Sequence, residues 1–145
     1  MKLSWPNNFN SSASKGLFFT FEGIEGAGKS TQIKLLTEKL ENNGMNVLCV
    51  REPGGTRFGE KLRQAILHST KPLHPYSEAL LFASSRGQLL HEKILPHLEK
   101  EKSVVICDRY IDSSLAYQGF AREFGMDKIL QVHSRAPLTL SLIHI

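Results

Sequence analysis

The chain has 145 residues, 41% of them hydrophobic, with 18 Lys and Arg against 14 Asp and Glu for a formal charge of +4. That is the length and apolar supply of one compact domain with a single core, which argues against two domains. The positive charge is too mild and scattered for the basic stripe of a nucleic-acid binder and suits a small anionic ligand.

No stretch approaches the roughly 18 apolar residues of a membrane span, and Met1 to Lys15 lacks the apolar segment of a secretory signal. A cytoplasmic location is the expectation. The two cysteines, Cys49 and Cys107, lie inside apolar runs with no CxxC or metal-ligand spacing, so both read as reduced core residues. His68, His74, His91, His97, His133 and His144 share no ligand spacing and read as solvated or partly buried helix residues.

Residues 1–15 are rich in Asn and Ser without a hydrophobic period, the pattern of a disordered or loosely attached tail. The fold is expected to begin at Gly16. Leu17 to Phe21 is a short apolar strand signal, followed by a glycine-rich turn and by Ile33, Leu36 and Leu40 at helical spacing. Asn42, Asn43 and Gly44 stop that helix, and 46–51 reads as a second buried strand. A helix follows over Gly59 to His68, then a long helical region from Ser77 to about Lys100 with a break near Pro96. Residues 103–107 form the third strand, 113–118 and 126–134 are helical, and 138–143 reads as a fourth strand. Strands alternating with helices predict an α/β fold, a parallel sheet with helices on both faces.

Residues 23–30, Gly-Ile-Glu-Gly-Ala-Gly-Lys-Ser, match G-x-x-x-x-G-K-[ST] between a strand and a helix. In such a P-loop, Gly23, Gly26, Ala27 and Gly28 let consecutive backbone N–H groups wrap phosphate oxygens. The helix N-terminus at Lys29, Ser30 and Thr31 adds positive potential. Lys29 reaches the β- and γ-phosphates of ATP, and the Ser30 hydroxyl can ligate Mg²⁺. Asp108 ends the third strand, at the edge where parallel sheets bind ligands, and Arg109 follows it. An acid there can hold Mg²⁺ through water while the guanidinium clamps a phosphate.

Four segments together resemble thymidylate kinases of the bacterial type. They are residues 21–31 (FEGIEGAGKST), 51–56 (REPGGT), 81–86 (LFASSR) and 108–119 (DRYIDSSLAYQG), within a similarity covering about Leu17 to Pro137. The resemblance implies a P-loop NTPase fold, a homodimer, and transfer of the ATP γ-phosphate to dTMP, giving dTDP, with Mg²⁺. By position it implies that Phe82 stacks on thymine and Arg86 donates to a base carbonyl. Ser114 and Gln118 complete base recognition, and Tyr117 packs against the sugar. Glu25 lies near the deoxyribose, Arg109 on the dTMP phosphate, and Glu52 and Arg63 line the acceptor site. Arginine only donates hydrogen bonds, so Arg86 suits the O4 carbonyl of thymine better than the amino group of cytosine.

Relatives of this type continue with a further strand, an Arg-rich lid and closing helices. The kinase domain is therefore expected to be incomplete over 16–139, lacking the final strand and lid, and a 145-residue chain is expected to show little turnover. Residues 140–145, Leu-Ser-Leu-Ile-His-Ile, look like a translated sequencing adapter. Two other readings stay open at this point: another P-loop nucleoside or nucleotide kinase, or a nucleotide-binding module without turnover.

Overall fold

A computed structural model describes residues 16–134. Its elements are β1 (Leu17–Phe21), α1 (Lys29–Asn42), β2 (Asn46–Arg51), α2 (Arg57–Leu67), α3 (Pro75–Leu89), α4 (Leu95–Leu98), β3 (Ser103–Asp108), α5 (Ile111–Ser114) and α6 (Met126–Ser134). The tail at 1–15, the fourth strand at 138–143 and the segment 140–145 lie outside the described residues.

The three strands form one parallel sheet in the order β1-β3-β2. The central strand is the most buried, with Ser103 to Cys107 all enclosed, as a strand covered on both faces must be. Side chains alternate along it, so Val105 and Cys107 face one layer while Val104 and Ile106 face the other. On the first face Phe18, Val105 and Cys107 pack with Leu89, Leu90, Ile94, Leu98, Tyr110 and Ile111. The second face carries α1, which packs on β2 and β3.

Local chemistry sets the helix ends. α2 starts at Arg57, two residues before the expected Gly59, because the Thr56 hydroxyl caps it by accepting the Gly59 N–H at 2.9 Å. α3 starts with His74 as its cap and Pro75 in its first turn, where a missing N–H costs nothing.

The break expected near Pro96 begins earlier. Residues Leu90–Ile94 form a wide π turn in which the Leu95 N–H bonds to the Leu90 carbonyl. Pro96 can neither donate to the Glu92 carbonyl nor fit its ring against it, and the widened turn ahead of it relieves both problems. A second π turn, Leu115–Ala121, continues α5 three residues past the end of the expected 113–118 helix.

Two residue-level expectations are corrected. Cys107 is buried but Cys49 is exposed, its sulfur 3.1 Å from the Thr37 hydroxyl, because it sits on the sheet face toward α1, a helix with no fully buried residue. His97 and His133 are buried rather than solvated or partly buried. His97 bonds the Asn46 carbonyl at 2.9 Å, where the end of α4 meets the start of β2.

Candidate active site

Register brings the phosphate loop and the strand-end acid together. Phe21 of β1 and Arg51 of β2 both stand opposite Asp108 of β3, so the segments leaving these strands share the carboxyl edge of the sheet. Backbone bonds tie them there: the Arg109 N–H to the Phe21 carbonyl at 2.9 Å and the Glu52 N–H to the Asp108 carbonyl at 3.0 Å.

The loop between β1 and α1 turns through Gly26 (φ 78°) and Gly28 (φ 84°), left-handed conformations that glycine adopts without steric cost. Glu25, Gly26, Ala27, Gly28, Ser30 and Thr31 are exposed, leaving the start of α1 open to an anion. The Lys29 ammonium bends back over the loop, donating to the carbonyls of Gly23 and Ile24 at 2.9 Å each.

Ser30 and Asp108 line one cavity, with Arg51, Thr37 and Cys49. Asp108 Oδ1 is buried and accepts no hydrogen bond among the described residues. A hydroxyl and an unpartnered carboxylate oxygen fit a hard, oxygen-seeking cation such as Mg²⁺. Among the described residues no three His, Cys, Asp or Glu side chains cluster as a metal cage. An ion here would therefore complete its shell with phosphate and water, the usual habit of Mg²⁺.

Arg109 has a left-handed backbone (φ 70°). Its guanidinium lies 5.3 Å from the Tyr117 ring centroid and donates to Ser113 Oγ at 3.3 Å, with the Tyr117 hydroxyl at 3.5 Å. Glu22 anchors this segment. One carboxylate oxygen accepts the Tyr110 N–H at 2.7 Å and the other the Ser113 hydroxyl at 2.5 Å. Bonds to both of its oxygens fix the segment that follows Arg109 to the end of β1.

Three of the residues expected at the acceptor site, Glu52, Arg86 and Ser114, meet in a buried cluster. Arg86 of α3, 1% exposed, donates from Nε to Glu52 Oε2 at 2.7 Å, and its Nη2 lies 2.6 Å from the same oxygen. Nη2 also donates to Ser114 Oγ at 2.9 Å, Nη1 meets His133 Nε2 at 2.5 Å, and the guanidinium stacks 4.7 Å above the Tyr110 ring. Burial works against the charge on Arg86, yet Glu52 holds its pKa above the ordinary value. Burial also pushes the Glu52 carboxyl up against the pull of Arg86, and Glu52 Oε1 is a buried oxygen without a hydrogen-bond partner among the described residues. The Cys107 thiol behind the cluster is raised well above its usual value, first by burial and then by Glu52.

Phe82, one turn before Arg86, is partly buried and belongs to no core cluster, which leaves ring surface for a ligand. Gln118 is buried and donates to Glu78 Oε1 at 3.0 Å, while Glu78 Oε2 pairs with Arg122 at 3.2 Å, so one N–H of the Gln118 amide is taken by the protein. Tyr117 is 41% exposed. Arg63 is partly buried and donates to the Pro53 carbonyl at 3.2 Å, holding the 51–56 loop. That loop is further fixed by the Gly54 N–H to Ser85 Oγ at 3.0 Å and the Gly55 N–H to Glu60 Oε1 at 2.9 Å.

Sequence reading assigned no role to Glu22, Ser85 or His133. Glu22 stood inside a quoted motif and could have been found as the acid at the end of the first strand. His133 is in none of the motifs, and only the packing of α6 brings it to Arg86.

A model of the thymidylate kinase family, "Thymidylate kinase", matches residues 21–142. The chain is 51% identical over 124 residues to the thymidylate kinase of Thermoanaerobacter sp. (strain X514), covering 86% of this chain and 61% of that protein. It is 52% identical over 122 residues to that of Caldanaerobacter subterraneus subsp. tengcongensis, covering 84% of this chain and 58% of the relative. The chain therefore spans about three fifths of the curated relatives it matches. The crystal structure of thymidylate kinase from Ehrlichia chaffeensis superposes with a TM-score of 0.75 at 39% identity, over 83% of this chain and 68% of that one. With the family match running through the P-loop, the 51–56 loop, Arg86 and the Asp108-Arg109 turn, the chain belongs to the thymidylate kinase family.

Proposed function

We propose that the protein transfers the γ-phosphoryl group of ATP to dTMP, forming dTDP and ADP. The observation that carries this reading is the shared register position of Phe21, Asp108 and Arg51. It brings the phosphate-binding loop, Arg109 and the loop that carries Glu52 to one edge of the sheet.

The acceptor oxygen of dTMP is already an anion, so the chemistry needs no general base. The difficulty is holding two polyanions in line against their repulsion, a task of positioning and charge neutralisation. Lys29 exchanges its loop carbonyls for oxygens of the transferred phosphate, and the N–H groups at the start of α1 hold the β-phosphate. Arg109, steadied by Ser113 and Tyr117, takes the dTMP phosphate. Phe82 offers a face for thymine and Arg86 a donor for its carbonyl, while Tyr117 and Glu25 stand on the sugar side. Ser30 and Asp108 are the residues that would hold Mg²⁺, which when bound neutralises charge on the β- and γ-phosphates.

Calorimetric titration of the chain with dTMP and with MgATP, followed by an ADP-release assay, tests the reading. Binding of both, with thymidine and other monophosphates bound far more weakly, is the expected result. A preference for thymidine or another monophosphate would replace dTMP as the acceptor. ATP binding without phosphoryl transfer, even in a chain extended to the length of its relatives, would mark a nucleotide-binding module.

A further inference from the structure

We propose that His133 is a positioning residue of the acceptor-base pocket, holding the Arg86 guanidinium so that a single N–H is left for the ligand. The inference rests on the reading of Arg86 as the residue that donates to the base.

Hydrogen-bond arithmetic fixes the state of the imidazole. Its Nδ1 lies 2.7 Å from the Ile129 carbonyl, which only accepts, so Nδ1 carries the proton. Its Nε2 faces Arg86 Nη1, which only donates, so Nε2 is bare. His133 is therefore a neutral acceptor in a buried pocket, an assignment that follows from its two partners alone.

The same arithmetic applied to Arg86 explains what the contact does. Of the five guanidinium hydrogens, Nε–H and one on Nη2 serve Glu52, the second on Nη2 serves Ser114, and one on Nη1 serves His133. Among the described residues the other Nη1 hydrogen has no partner. A group presenting one donor accepts one carbonyl oxygen, which suits a keto pyrimidine. Without His133 two hydrogens on Nη1 would be unmatched inside the protein, and the guanidinium could satisfy them by turning away from its Glu52 fork.

The contact is built into the packing of α6. The Gly125 N–H bonds the Gly119 carbonyl at 2.9 Å and the Ile129 N–H bonds the Gly125 carbonyl at 3.2 Å, so α6 enters at a set angle with Ile129 and His133 on its buried face. A side chain outside every nucleotide motif thereby completes the environment of the base-reading arginine.

Three variants of the full 145-residue chain test this by calorimetry with dTMP and, separately, MgATP. His133→Leu removes the acceptor and should weaken dTMP binding at least about tenfold while MgATP binding changes less than about twofold. His133→Gln places an amide oxygen near the position of Nε2 and should recover most of the affinity. His133→Asn is equally polar but one methylene shorter and should not. If His133→Leu fails to fold and loses both ligands, the Gln and Asn pair decides. Recovery by Gln alone supports the proposal, and equal affinities in the two overturn it. Unchanged dTMP affinity in a folded His133→Leu also overturns it. Wild-type chain that binds no dTMP removes the underlying reading of Arg86 and the proposal with it, whereas wild-type chain that binds dTMP leaves the His133 variants to judge the proposal alone.

Discussion

Arg86 of α3 and Glu52 of the loop after β2 form a buried ion pair, Nη2 to Oε2 at 2.6 Å, with side chains 1% and 3% exposed. The pair crosses 34 residues of sequence and joins the helix that carries Phe82 to the loop that follows the sheet edge. A charge this deep is tolerable only because its partner is present, so the two residues act as one unit in folding.

The first prediction concerns that unit. Arg86→Ala should weaken dTMP binding and also cost about 3–5 kcal/mol of stability, since it strands the Glu52 carboxylate. Glu52→Leu should cost a similar amount for the converse reason. The double variant Arg86→Met with Glu52→Leu should lose far less than the sum of the singles. Urea denaturation of the four proteins measures the coupling, and additive losses would show that the pair is not coupled.

Acidification should weaken the fold through His133. Burial, and then the charge of Arg86, lower its folded pKa below the ordinary value of 6.5, so the native state favours the neutral ring. The stability it contributes is present above about pH 6.5 and is lost as pH falls toward the lower folded value. Glu52 works in the opposite sense. Its raised carboxyl favours the protonated form, a contribution greatest below 4.5 and lost as pH rises through the folded value. The melting temperature of the wild type should therefore fall between about pH 7.5 and about pH 5.5 more than that of His133→Gln, which keeps Glu52 but cannot titrate. Parallel pH curves for the two proteins would contradict the assignment.

Lys29→Ala should abolish most of the response to ATP. The ammonium is the one side-chain cation within the 23–30 loop, and its present bonds to Gly23 and Ile24 are made to groups that water can equally serve. Saturating MgATP should raise the wild-type melting temperature and leave that of Lys29→Ala nearly unchanged. In an active enzyme the same change should lower kcat by roughly 10²- to 10³-fold, about 2.7–4 kcal/mol for one contact to developing charge.

Glu22→Gln should damage the phosphate end of the acceptor site without unfolding the domain. The carboxylate accepts from both the Tyr110 N–H and the Ser113 hydroxyl, and an amide has only one accepting atom. Loss of one charge-assisted bond is worth about 1.5–3 kcal/mol, and it releases the segment that carries Arg109. Weaker binding of dTMP with thymidine binding unchanged would show the effect acting through the phosphate. Equal loss for dTMP and thymidine would point instead to the base pocket.

Gly59→Ala should loosen the 51–56 loop. A Cβ there would meet the Gly54 carbonyl oxygen at 2.7 Å and Ser85 Oγ at 2.9 Å, and a backbone oxygen cannot step aside as a flexible side chain can. A stability loss of about 1–3 kcal/mol, with weaker dTMP binding, is expected from denaturation and titration.

Much of this protein is written in contiguous residues. The P-loop is legible because phosphate wrapping needs glycines, a lysine and a helix start within eight consecutive positions, so short-range sequence carries the whole device. β1, β2 and β3 are legible as short apolar runs, although β2, expected to be buried, has no buried residue and only β3 is buried along most of its length, and Asp108 and Arg109 are legible because they sit where such a run ends. The resemblance in four segments placed Phe82 and Arg86 one turn apart on a helix. Tertiary structure decided the state of those side chains. Arg63 binds the Pro53 carbonyl and Gln118 binds Glu78, because a side chain's partner depends on which loop or helix folds over it. Cys49 is exposed and His133 buried for the same reason, since burial comes from elements packed alongside and not from the residue's own neighbours. The chemistry of binding phosphate was local and could be read in order along the chain. The donor count of Arg86 was set by residues 34, 28 and 47 positions away, and only the packing of α3, α5 and α6 against the sheet brings those groups within hydrogen-bond reach.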